Sequence, residues 1–185
     1  MLLIIEFSEL LNYFTIILTI IGGIVALFQW KDSNKLKRAE YVNNLFKDFN
    51  NNEDVKNFLY NIDYDIPWYD DNFHNSGKLE QGTDMALNYY SYICYLYENN
   101  LIKKKEFEFY KYQVERILKN VNTQNYFYNI YHNSQYYKNE MSFSYLFKYG
   151  QKNNFFDKEF FDPFSNNYKA QLSFRKHLIE DNAKN

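Results

Sequence analysis

Residues 10–30 read LLNYFTIILTIIGGIVALFQW, a run of 21 positions without one charged side chain. Coiled as a helix this stretch is roughly 30 Å long, the thickness of a bilayer's hydrocarbon core. Its clearly polar side chains are Asn12, Thr15, Thr19 and Gln29, with Asn12 and Gln29 near the ends. Tyr13 and Trp30 stand where amphipathic rings favour the two interfaces. A cleaved signal peptide would need a basic leading region and a small-x-small cleavage site. Here Glu6 and Glu9 precede the run, and Trp30-Lys31 follow it. Buried helices of soluble proteins rarely run this far without a charge. The stretch therefore predicts one retained transmembrane helix.

The flanks predict its orientation. Lys31, Lys35, Lys37 and Arg38 follow the run, and no Lys or Arg precedes it. By the positive-inside rule residues 31–179 form a cytoplasmic domain, residues 1–9 a short external N-terminus and residues 180–185 a mobile tail. A lone cysteine, Cys94, agrees with a reducing compartment and excludes an intrachain disulfide framework. Within the run, Thr15, Thr19 and Gly23 recur every four positions, and Gly22 precedes Ala26 by four. Small residues at this spacing let membrane helices approach closely. No ionisable group lies inside the run, so one copy has no proton relay or ion path, and a pore needs several copies.

The chain has 185 residues, of which 22% are aromatic, with five Gly and two Pro. So much apolar surface excludes disorder for the body, and so little Gly and Pro excludes a collagenous or turn-rich β chain. A formal charge of -2 gives no whole-protein attraction to nucleic acid.

The body reads as all-α. No Gly or Pro falls between Ile24 and Pro67, and Leu36, Ala39, Val42, Leu45, Phe46 and Phe49 keep a helical period. The membrane helix is therefore expected to continue to about Phe49. Asn50, Asn51 and Asn52 end it, and Asn52 caps a short helix carrying Val55, Phe58, Leu59 and Ile62. Residues 63–77, DYDIPWYDDNFHNSG, read as a loop. Thr83 or Asp84 then caps a central helix to about Tyr97, apolar over most of its circumference. After a turn at Asn99-Asn100, a helix over 104–119 buries Phe107, Tyr110, Val114, Ile117, Leu118 and Val121. Its wet side carries Lys111, Glu115 and Lys119. Thr123 caps a further helix with Phe127, Ile130 and Tyr131, and short helices are expected over 142–149 and 167–179, parted by a turn at Asp162-Pro163. No strand-like alternation and no internal repeat is visible.

Catalytic chemistry finds little footing. Asp63, Asp65, Asp70 and Asp71 with His74 suggest a metal loop, but EF-hand spacing needs a Gly and a Glu that are missing, so a solvated acidic turn is expected. His74, His132 and His177 lie in separate segments with no paired ligand spacing. No GxSxG and no glycine-rich phosphate loop occurs, and Cys94 falls mid-helix, as a small buried hydrophobe would. Small helical-bundle ribonucleases of the HEPN type place an Arg a few residues ahead of a His. Of Arg38, Arg116 and Arg175, only Arg175 is near one, His177, and that spacing is too short. Lys103, Lys104 and Lys105 ahead of KEFEFYKYQ make a basic strip with interleaved rings, the kind that binds single-stranded RNA. Glu106 and Glu108 interrupt it, so a solvated helix start is the expectation and an RNA partner is not. The basic run 31–38 suits anionic headgroups as well as topology. No cofactor, metal or catalytic residue is expected, and the protein reads as non-enzymatic.

The layout carries a resemblance. A single span, the flank WKDSNKLKRAEYVNNLF, a helix ending NIDYD, and a body with DMALNYYSYICYLYENNLI, KKKEFEFYKYQVERIL and QNYFYNIYH resemble a group of small bacterial single-span membrane proteins. The layout is also similar to that of the accessory membrane proteins of type VI-B CRISPR systems. That resemblance implies a homo-oligomeric ring in the inner membrane whose helices line a pore, and antiviral defence through loss of membrane integrity. The missing Arg–His pair departs from any associated nuclease role. A membrane-tethered adaptor that docks a cytoplasmic protein is the alternative, and an RNA-binding or RNA-cleaving helical protein the third reading.

Overall fold

The structure, a computed structural model, describes residues 2–75 and 77–169. Every regular element among these residues is helical. They divide into two compact units, Met1–Lys47 and Asp48–Asn185.

Helix α1, Leu2–Asn50, supplies the first unit. With neither proline nor glycine after Gly23, nothing interrupts its hydrogen-bond ladder before the asparagines. The expected continuation to Phe49 is present. Along that stripe Leu36 and Phe46 are exposed, and only Phe49 is buried, stacked on Tyr89 with ring centroids 3.9 Å apart.

The second unit is built on α2 (Glu53–Asp63), α3 (Lys78–Glu98), α4 (Lys104–Lys119), α5 (Val121–Tyr137) and α6 (Ser144–Lys152). Asn52 caps α2 as expected, its Oδ1 accepting from the backbone N–H of Asp54 and of Val55. Val55, Phe58 and Ile62 form the buried face of that helix. α3 is central, packed against α2, α4 and α6. The boundaries of α4 agree with the sequence reading, and Phe107, Tyr110, Val114, Ile117 and Leu118 are buried.

Four readings need correction. α3 starts at Lys78, not near Thr83, because Gly77 takes the left-handed backbone (φ 53°) that turns the chain into the helix. Thr83 lies inside α3 and is 0% exposed, while Asp84 accepts from the Tyr126 hydroxyl at 2.9 Å instead of capping. α5 is capped by Asn120, whose Oδ1 accepts from the N–H groups of Asn122 and Thr123. An amide three residues ahead therefore takes the place expected of Thr123. Val121 is 68% exposed, since the chain turns outward at that cap. Residues 167–169 are not helical; the rest of the expected helix, His177 and the tail lie outside the described residues.

The loop 63–77 also differs from a wet acidic turn. Trp68, Tyr69 and Phe73 are buried there, with Trp68 edge-on to Phe58 and to Tyr126. At the other end, Phe156, Phe160 and Tyr168 follow α6 and close over α5. The Tyr128 hydroxyl donates to the Asp162 carbonyl at 2.8 Å, which satisfies a buried polar tip. An Asx turn in which Asp162 accepts from the Phe164 N–H marks the expected Asp162-Pro163 reversal.

Candidate functional site

Two surfaces stand out, one on each unit. The first is residues 10–30 of α1. Every large apolar side chain between Leu10 and Trp30 is at least 48% exposed, so the first unit does not cover this surface itself. Tyr13 and Trp30 are exposed at either end, and Lys31, Lys35, Lys37 and Arg38 follow, with Lys35 2.9 Å from Asp32. At 3.6 residues per turn, Thr15, Thr19, Gly22, Gly23 and Ala26 fall within an arc of about 100°. The Ile, Leu, Val and Phe side chains of residues 14–28 all project outside that arc. Nothing approaches within 4 Å of a Cβ built at Gly22 or Gly23. Thr15 and Thr19 donate their hydroxyls back to the carbonyls of Leu11 and Thr15, both at 2.8 Å. Their outward surface is therefore the methyl group, and the arc is both small and apolar.

In the acidic loop three of the five groups singled out in the sequence are held by other partners. Asp63 lies 3.0 Å from the Arg116 guanidinium, Asp70 accepts from the Asn72 N–H, and His74 Nδ1 is 2.6 Å from Glu80 Oε1. Among the described residues no three metal-ligating side chains converge. His132 is buried on α5, its Nε2 2.9 Å from the Phe160 carbonyl, and burial holds its pKa below the ordinary value. Cys94 is buried as expected, and burial pushes its thiol up.

The second surface is a cleft of about 680 Å³ among α3, α4 and α6. Lys103, Lys104 and Lys111 line it from α4 and the turn before it, and Lys148 and Lys152 from α6. Two carboxylates, Glu98 and Glu108, share the lining, leaving a surplus of three positive charges from five against two. Tyr97, Phe107, Tyr145 and Tyr149 supply rings. Phe107 stacks on Tyr97 at 4.1 Å, which anchors the wall, and burial helped by Glu115 pushes Tyr149 up to about 12. Lys105 is exposed and takes no part in the lining. The basic strip is thus split: two of its lysines face the cleft, joined by two from α6 that are more than forty positions away. Only the first half of this arrangement has a signal in the sequence, because the α6 lysines are unremarkable until α6 packs on α3.

Neither a protein-family model, a curated protein nor a solved structure matches this chain.

Proposed function

We propose that the chain is a bacterial inner-membrane protein, held by one span at residues 10–30 with the helical domain 31–179 on the cytoplasmic side. It self-associates through the span, forms a pore as a ring of several copies, and perturbs the membrane in CRISPR-associated antiviral defence without catalysing a reaction. One observation carries this reading: a charge-free helix surface, exposed within its own unit and divided into a small-residue arc and a large-aliphatic remainder. Apolar surface held in water costs about 25 cal/mol for each Å², a cost that lipid removes. The arc then lets a second helix pack backbone to backbone, through van der Waals contact because the threonine hydroxyls are already bonded.

The test is the mass of the full-length protein in neutral detergent by light scattering, beside depolarisation of cells that express it. Expected are an assembly of several copies, depolarisation that depends on residues 10–30, and loss of both in Gly23→Leu. A monomer, or depolarisation that survives replacement of 10–30 by an unrelated apolar helix, overturns the reading.

The tethered adaptor has an observation of its own. Phe109 is 78% exposed on α4, and Tyr112, also exposed, accepts from Arg116 at 2.6 Å. Rings held outward in this way suit a protein partner. That reading requires a foreign anchor to substitute freely and Phe109→Ala to abolish copurification of the partner.

A further inference from the structure

We propose that the cleft among α3, α4 and α6 binds a nucleotide, phosphates on the lysines and base against the tyrosine wall. The proposal is independent of the membrane reading and uses only the second unit.

Charge comes first. Lys103, Lys104 and Lys152 have no carboxylate partner within salt-bridge distance among the described residues. Lys111 is loosely matched, 3.9 Å from Glu108, and Lys148 lies over the Tyr145 ring at 5.1 Å. Gathering this many ammonium groups around one concavity raises the potential inside it, where less water screens them than on an open face. A polyanion relieves that repulsion. At the start of α4 the Glu106 carboxylate accepts from the Lys103 N–H at 2.5 Å, so the field of the cleft comes from the lysines and not from the helix end.

Ring chemistry comes second. Phosphate alone would need only the lysines, yet four aromatic side chains share the wall. Tyr97, Tyr145 and Tyr149 are half-buried, so each has ring surface left for a flat partner. Base–aromatic stacking contributes about 1–3 kcal/mol per base and tolerates any base. Glu98 and Glu108 offer acceptors for ribose hydroxyls or an exocyclic amine. Size comes third: about 680 Å³ is within the range of small-molecule pockets and suits one nucleotide rather than a strand.

The experiment is calorimetric titration of the full-length protein in neutral detergent with ATP, adenosine, tripolyphosphate and a short single-stranded RNA, at fixed salt. ATP is expected to bind with one site per chain, and adenosine and tripolyphosphate each about tenfold or more weaker. Lys104→Glu with Lys152→Glu should weaken ATP at least about tenfold, while Lys105→Glu, the same charge change off the cleft, leaves it unaltered. Melting curves confirm that both variants remain folded. Four results overturn the proposal: no ATP binding up to about 1 mM, tripolyphosphate binding as tightly as ATP, RNA binding that tightens with strand length, or equal loss in Lys105→Glu. The second would mark a bare polyanion site open to phosphate or a lipid headgroup, the third a nucleic-acid surface.

Discussion

Gly82 is the fifth residue of α3, inside the helix where glycine is a poor residue, and its substitution by alanine separates two opposed effects. At an ordinary helical position the change stabilises by about 0.8–1.0 kcal/mol. Here a Cβ would lie 2.9 Å from the Asp54 Cβ, 3.0 Å from its carbonyl oxygen and 3.2 Å from its carbonyl carbon. Two of those three atoms are backbone and cannot rotate away, and carbon–carbon contacts settle at about 3.5–4.0 Å. α2 must therefore retreat from α3 by roughly half an ångström, loosening the packing of Phe58 and Ile62, both buried on α2. Overpacking of this kind costs about 1–3 kcal/mol, which outweighs the propensity gain. Gly82→Ala should lose about 1 kcal/mol net, a fall in melting temperature of about 3–5 °C for a unit of this size. Exposed Asn88 on the same helix is the control, since Asn88→Ala should gain about 0.5 kcal/mol from propensity alone. Thermal unfolding of both variants in detergent, followed by near-ultraviolet circular dichroism, reads the difference in sign. Gly82→Ala melting at or above the parent would refute the close approach of α2 and α3.

Other expectations concern the same unit. Burial lowers the His132 pKa below the ordinary 6.5, so the unfolded chain takes up its proton first as pH falls. Its contribution is intact above pH 6.5 and declines as pH drops through that value towards the folded pKa. Melting at pH 7.5 against 5.5, at about these values, should show a drop in the parent that shrinks in His132→Gln. Asn120→Ala, which removes the α5 cap, should cost about 1 kcal/mol in chemical denaturation. Cys94, buried and with its thiol pushed up, should resist iodoacetamide in the folded protein and react once denatured. Labelling at the same rate in both states would remove it from the core.

Helical content was plain in the residues wherever periodicity and a cap agreed. α2 is the best case, with Val55, Phe58 and Ile62 on one face and Asn52 as its cap. Where two capping residues compete, spacing alone does not decide. Thr123 and Asn120 are equally plausible caps until the backbone reveals which carbonyl oxygen reaches the N–H groups. Thr83-Asp84 suit a cap by residue type but lie inside α3, and Gly82 before them admits the close approach of Asp54, a tertiary contact. Gly77 ahead of Lys78–Gln81, a run of strong helix formers with one leucine, was the signal for the earlier start. In the loop 63–77 the carboxylates dominated the reading, while Trp68, Tyr69 and Phe73 determine its placement. The cleft was half legible at most, because Lys148 and Lys152 join it only through tertiary packing.

The choice of asparagine over aspartate at two helix starts reaches further than capping. Asn52 and Asn120 hold α2 and α5 with amide oxygens, which carry no titratable proton. An aspartate in either place would lose its grip as the medium acidified, and helix stability would follow the carboxyl titration curve. These two joints are instead blind to protons. Acid sensitivity is left to other groups, His132 among them, so acidification should weaken tertiary contacts while the caps of α2 and α5 remain in place.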